Sequence, residues 1–216
     1  MKKTLLFFLF ICPFISNAQA YQPGDVSIGL GSGWQLLSYD LSDTAGYRNY
    51  YDGLGGVNFS FHSELALAPF MGIGLTCSYS RLVSEIEAGN AACREFDFAP
   101  EVSYHVPWNN RFLDLSAATG LGISGYHYQL YEGNWLQEHI SSTVYFAEAR
   151  PRVYFTEKNR LGGFVYYRFT YYFGYGDAHD RTTPRYEFDA VGRGHTMGGG
   201  LFFRVRGISR EKHDMN

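Results

Sequence analysis

From residue 25 to residue 206 the chain alternates between apolar positions and small or polar ones with a period of two. Over 57–68, Val57, Phe59, Phe61, Leu65 and Leu67 share one phase, and Asn58, Ser60, His62, Glu64 and Ala66 share the other. Residues 71–82 set Met71, Ile73, Leu75, Cys77 and Tyr79 against Gly72, Gly74, Thr76, Ser78 and Ser80. Residues 96–106 set Phe96, Phe98, Pro100, Val102, Tyr104 and Val106 against Asp97, Ala99, Glu101, Ser103 and His105. Successive side chains of a strand point to opposite faces, so this pattern predicts strands, and no window sustains helical spacing. Eight strands are expected, at roughly 25–39, 57–68, 71–82, 96–106, 112–128, 140–155, 161–174 and 194–206.

Their connections alternate in length. Short links fall at Ala68–Phe70, Pro107–Asn110 and Thr156–Arg160, and long polar ones at 40–56, 83–95, 129–139 and 175–193. An even number of strands with short turns at one end and long loops at the other is the plan of a transmembrane barrel. The polar phase separates this from a soluble barrel, which would dress its exterior with long charged side chains. Here that phase is mostly glycine, serine and alanine, a poor water-facing surface and a good filling for a narrow lumen. Glycines 29, 31, 33, 198 and 200 leave room for Phe164, Tyr166 and Tyr172 of the seventh strand. The fold class is therefore all-β, an eight-stranded antiparallel up-and-down transmembrane β-barrel, closed because a bilayer tolerates no sheet edge.

Charge follows the same phase. In LGGFVYYRFTYYFGYG, Leu161–Gly176, Arg168 falls with Phe164, Tyr166, Thr170 and Tyr172, so it points into the lumen. Facing lipid at mid-depth it would cost ~2–4 kcal/mol. The rule also sends Glu64, Asp97, Glu101, Asp114, Glu148, Arg150, Arg152, Arg204 and Arg206 inward. Acids and arginines balance, and buried ions must be paired to be tolerated, so the lumen is expected to hold an ion-pair network. The turn at Thr156–Arg160 aligns Phe155 with Leu161 and so sets Glu148 opposite Arg168. An eight-stranded lumen is filled by side chains, and no pore is expected.

Composition adds the compartment. Lys2 and Lys3, an apolar run from Leu5 to Ile15 and the small-x-small Ala18-Gln19-Ala20 predict a cleaved signal peptide over 1–20, leaving 21–216 as a single barrel domain. The run is too short for a helical span, and Leu9-Phe10-Ile11 before Cys12 does not fit lipoprotein processing. Removing Lys2 and Lys3 from the 18 basic side chains leaves 16 against 21 acids, a net charge of −5, which argues against a nucleic-acid partner. Lys158 and Lys212 are the remaining lysines, far fewer than a water-facing surface of this size would carry. Cys77 and Cys93 are expected to be unbridged, with Cys77 opposite about position 100.

Aromatic girdles are expected from Trp108, Tyr104 and Tyr154 near the short turns and from Trp34, Tyr79, Tyr126, Tyr145 and Tyr171 near the loops. Proline recurs on the lipid phase in APEVSY (99–104) and RPRVYF (150–155). With these features the chain resembles the small eight-stranded outer-membrane barrels, the group of outer membrane proteins A and X. The resemblance covers residues 25–206. It implies residence in the cell outer membrane among lipids that include lipopolysaccharide, and insertion by the barrel-assembly machinery. Many such barrels end on a phenylalanine, whereas GISREKHDMN follows the last strand here and Phe203 would have to serve as the signal from inside.

Candidate chemistry is sparse. His62, Ser63 and Glu64 are adjacent in sequence, so His62 and Ser63 face opposite sides of a strand and cannot meet. The histidines show no metal-ligand spacing, and no glycine loop of phosphate-binding type occurs, so neither metal nor cofactor is expected. His139-Ile140-Ser141 is similar to the H-x-S pattern of outer-membrane lipid A deacylases, where serine is the nucleophile and histidine the base. Ser142 follows where that family has asparagine, and Val153 stands where the acid would be sought. The loops at 40–56 and 175–193 mix tyrosine, arginine and acids, the chemistry of adaptable binding surfaces, and Trp135 marks the tip of the third. The expectation is a non-enzymatic barrel acting in membrane structure or surface interaction, with an extracellular ligand taken through its loops. The alternatives are a lipid A-modifying hydrolase using His139 and Ser141, or an accessory subunit of a secretion or assembly machine.

Overall fold

The computed structural model describes residues 22–42, 48–83, 91–106, 112–130, 136–155, 160–180 and 186–205. Eight strands run as β1 (Val26–Ser42), β2 (Arg48–Ala68), β3 (Met71–Val83), β4 (Ala91–His105), β5 (Leu113–Leu130), β6 (Leu136–Tyr154), β7 (Leu161–Asp180) and β8 (Tyr186–Val205). Each pairs antiparallel with its neighbour in sequence, and β8 pairs with β1, so the sheet closes without an edge.

The register fixes the shape of the barrel. Paired residues followed around it run Val26, Leu65, Ile73, Val102, Thr119, Ala147, Phe169 and His195, and return to β1 at Leu36, ten residues from the start. A stagger of that size on eight strands tilts them by ~40° and leaves an interior about wide enough for side chains. The outward phase is apolar: Leu121, Ile123, Val165 and Met197 are 57%, 67%, 60% and 69% exposed. An exterior of this kind is stable against lipid and not against water.

The strands run further outward than expected. Every described residue of the segments read as long loops is strand. Two causes account for the difference. Beyond the bilayer the outward positions meet water, so the apolar half of the alternation disappears: Glu187 and Asp189 are exposed while Phe188 and Ala190 are buried. On β2, Asp52 and Gly53 together oppose Ser38, and Gly53 takes φ 72, the left-handed conformation of a glycine bulge. The bulge shifts the phase by one residue, so alternation cannot be read across it.

Both prolines lie on the outward phase, and each interrupts one ladder. Pro100 pairs with Leu75 but not with β5, and Pro151 pairs with Leu115 but not with β7, as the missing donor requires. Cys77 faces Phe98 rather than position 100, and Cys93 faces Leu82. Both cysteines are free, and Cys93 is buried in the lumen. Two expected girdle residues are corrected: Tyr126 and Tyr154 lie on the inward phase and are buried, whereas Trp34, Tyr79, Tyr104 and Tyr145 are exposed on the outside. Trp108 and Trp135 lie outside the described residues.

Candidate functional site

The inward phase gathers the polar side chains into tiers. At the end of the short turns, Arg204 Nη1 lies 3.3 Å from Asp25 Oδ2 and donates to the Tyr154 hydroxyl at 3.3 Å, with its guanidinium 4.6 Å from that ring. Glu64 forms the next tier. It takes a hydrogen bond from Arg152 and one from Ser103, and its Oε1 lies 2.6 Å from His105 Nε2. His105 Nδ1 in turn sits 2.9 Å from Asp114.

The middle tier is an alternating chain of charge. Arg150 spans two acids, giving Nε to Glu148 and both terminal nitrogens to Glu101 at 3.1 and 3.0 Å. Glu148 uses its second oxygen for Arg168, at 2.7 Å from Nε and 2.6 Å from Nη2. Thr76 donates to Glu101 at 2.5 Å and lies 3.1 Å from His62. Glu148 and Arg168 are direct cross-strand partners, so one register generates the contact.

Above this tier the acids have uncharged donors as partners. Asp97 accepts from Ser78 and Tyr172, Glu95 accepts from Gln35, and Asn58 links Ser80 and Tyr166. Further outward the interior is apolar, with Leu37, Tyr39, Leu41, Leu54, Leu82, Tyr126, Ile140 and Phe188 in one cluster. A void lined by His62, Glu64, Arg150 and Arg152 has a volume of about 10 Å³, room for about one water.

Glu64, Asp97, Glu101, Asp114, Glu148, Arg150, Arg152, Arg168 and Arg204 are all buried in the lumen. Arg206 lies outside the described residues. The network also includes Asp25, Glu95 and His105, which the sequence reading did not count among the charges. The phase rule reaches all three: Asp25 lies two residues before Ser27, Glu95 two before Asp97, and His105 two after Ser103. Glu95 fell in a segment read as loop. The arrangement can brace the lumen, because the acids and cations of its inner tiers meet across strands.

The outer wall carries the other candidate. His139 and Ser141 are both exposed on one face of β6, but no hydrogen bond joins them among the described residues. His139 instead meets His127 of β5, with Nδ1 atoms 3.1 Å apart and ring centroids 4.4 Å apart. Register sets Asp177 of β7 opposite His139 and Tyr175 opposite Ser141. That acid was sought along β6, whereas the pairing brings one from the neighbouring strand. His62 points inward and Ser63 outward, so the two remain apart. Among the described residues no group of three His, Cys, Asp or Glu side chains could hold a metal.

No protein-family model and no curated protein matches the chain. Solved structures do. The outer membrane protein OprG of Pseudomonas aeruginosa superposes with a TM-score of 0.61 at 12% identity, over 88% of this chain and 100% of that one. Neisserial surface protein A (NspA) gives 0.55 at 9% identity over 83% and 98%. The outer membrane protease OmpT of Escherichia coli gives 0.52 at 9% identity over 88% and 100%. The fold is that of the small eight-stranded outer-membrane barrels, and with its apolar exterior it places the chain in the cell outer membrane.

Proposed function

We propose that this outer-membrane barrel is a non-enzymatic surface protein whose lumen is held shut by ion pairs and whose outward end binds other molecules. The carrying observation is the contrast along the barrel axis. Across the bilayer the interior holds bonded tiers of charge around Arg150, Glu148 and Glu101. Beyond the bilayer the strands continue and present Tyr175, Glu187, Asp189 and Arg193 to solvent on β7 and β8. Rigid strands displaying tyrosine and mixed charge hold a binding surface at low entropic cost. Fold alone selects no activity, since the similar structures include one named a surface protein and one named a protease.

Outer-membrane vesicles bearing the full chain test this reading on arrays of glycans, matrix proteins and whole cells. Retention above empty vesicles is expected. It should fall when Tyr175, Glu187, Asp189 and Arg193 are together replaced by serine while the barrel still folds. Retention no better than that of empty vesicles would sink the proposal.

A second reading, a hydrolase of outer-leaflet lipid A, draws on Ser141 as nucleophile, His139 as base and, through the register, Asp177 as orienting acid. Against it stand the missing Ser141–His139 hydrogen bond and the engagement of the His139 ring by His127. Expression in a host with unmodified lipid A, followed by mass spectrometry of that lipid, decides between the two. Unchanged lipid A is expected. Loss of an acyl chain that Ser141→Ala abolishes would install the hydrolase reading instead.

A further inference from the structure

Four exposed or half-exposed side chains on the outer wall fall in one unbroken line of cross-strand partners: Arg81 of β3, Arg94 of β4, His127 of β5 and His139 of β6. At the spacing of strands the line is ~14 Å long. Its composition is costly. Like charges directly opposite on a sheet repel, yet Arg81 and Arg94 occupy opposed positions on the same face. Neither arginine forms an ion pair among the described residues, and the third member of the line is a histidine pressed against another histidine.

The position of the line is as informative as its charge. On β3 the outward positions below it are Met71, Ile73, Leu75, Cys77 and Tyr79, and on β4 they are Tyr104, Val102, Pro100, Phe98 and Phe96. Arg81 and Arg94 are each ten residues from the short-turn end of this apolar wall, at Met71 and Tyr104. On strands tilted by ~40°, ten residues rise ~25 Å, about the height of the apolar band of an outer-membrane barrel. The first charges on this wall therefore stand at the level of the outer-leaflet headgroups. Because paired positions climb with the strand tilt, the line also crosses a range of depths of several ångströms.

We propose that Arg81, Arg94, His127 and His139 form a docking line for the phosphate groups of the outer leaflet's phosphorylated glycolipid, lipopolysaccharide. A phosphate between the two guanidiniums removes their mutual repulsion and accepts paired N–H bonds from each. The acyl chains of the same molecule then lie on the apolar wall directly below, against Phe96, Phe98, Ile123 and Leu121. A free phosphate would use the charges but leave that wall unused, so the line and the wall together fit a glycolipid. The inference is independent of the surface-binding proposal, which rests on β7 and β8 residues elsewhere on the barrel.

The test uses the full chain in dodecylmaltoside micelles, titrated with bisphosphorylated lipid A, with enzymatically dephosphorylated lipid A and with inorganic phosphate, and read by native mass spectrometry. Bisphosphorylated lipid A should bind at least tenfold more tightly than the dephosphorylated form. The double variant Arg81→Gln/Arg94→Gln should lose most of that difference, and Arg160→Gln, exposed at the short-turn end of the barrel, should keep it. Retained folding is checked by gel mobility before and after boiling. Equal binding of the two lipids, an unchanged double variant, or inorganic phosphate binding as tightly as lipid A would each overturn the proposal.

Discussion

Replacing Glu148 by methionine should destabilise the barrel strongly. Glu148 is buried, and its two oxygens serve different arginines, Oε1 for Arg150 and Oε2 for Arg168. Arg150 would keep its two hydrogen bonds to Glu101. Arg168 would keep the faces of Phe146 and Tyr166, at 4.8 and 5.8 Å, which stabilise a cation less than a carboxylate at 2.6 Å does. Stranding one buried charge costs ~3–5 kcal/mol. Glu101→Gln should cost roughly half as much, because Arg150 would still hold Glu148. In Glu148→Met/Arg168→Met one charge of each sign is gone and Arg150 remains paired, so the double variant should recover ~2 kcal/mol or more relative to the sum of the singles. Urea unfolding in phosphatidylcholine vesicles, followed by tryptophan fluorescence, measures the parent, the single variants Glu148→Met, Arg168→Met and Glu101→Gln, and the double variant. Additive effects, or a loss below ~1 kcal/mol for Glu148→Met, would refute the assignment of this pair as the centre of the network.

Close packing of the barrel wall gives a sharper steric test. A Cβ on Gly122 would stand 2.0 Å from the Phe98 carbonyl oxygen, so Gly122→Ala should cut the folded fraction severely, whereas Gly125→Ala, with nothing within 4 Å of the added carbon, should fold like the parent when both are scored by gel mobility. Both thiols are free, and Cys93 is enclosed by the lumen while Cys77 faces the lipid. A water-soluble maleimide should therefore add no label to Cys93 in the folded barrel and label both cysteines after unfolding in urea, as read by intact mass.

The parts of the fold legible in the sequence are those where two solvents differ. Along Met71–Tyr79 and Phe96–Tyr104 lipid selects one phase and the packed lumen selects the other, so inside and outside could be assigned residue by residue. The same phase carried Arg168 inward, and the short turn before Leu161 set its partner, because a tight turn fixes register for both strands. Legibility ended where lipid ended. From Tyr175 to Arg193 both phases carry polar or aromatic residues, and strand there could not be told from loop. Tyr126 and Tyr154 were assigned by residue type where their phase already placed them inside. Relations between distant strands stayed hidden for a different reason. That Arg81, Arg94, His127 and His139 line up depends on the summed register of β3 to β6, which no single turn reveals.

Electrical conductance of the full chain in planar bilayers asks whether the buried network closes the lumen. With Arg150, Glu148, Glu101 and Arg168 bonded across the interior, the parent barrel should show no steady ion current above that of the protein-free bilayer at moderate voltage. Long-lived, ohmic openings of the unmodified barrel, reproducible from one preparation to the next, would contradict it.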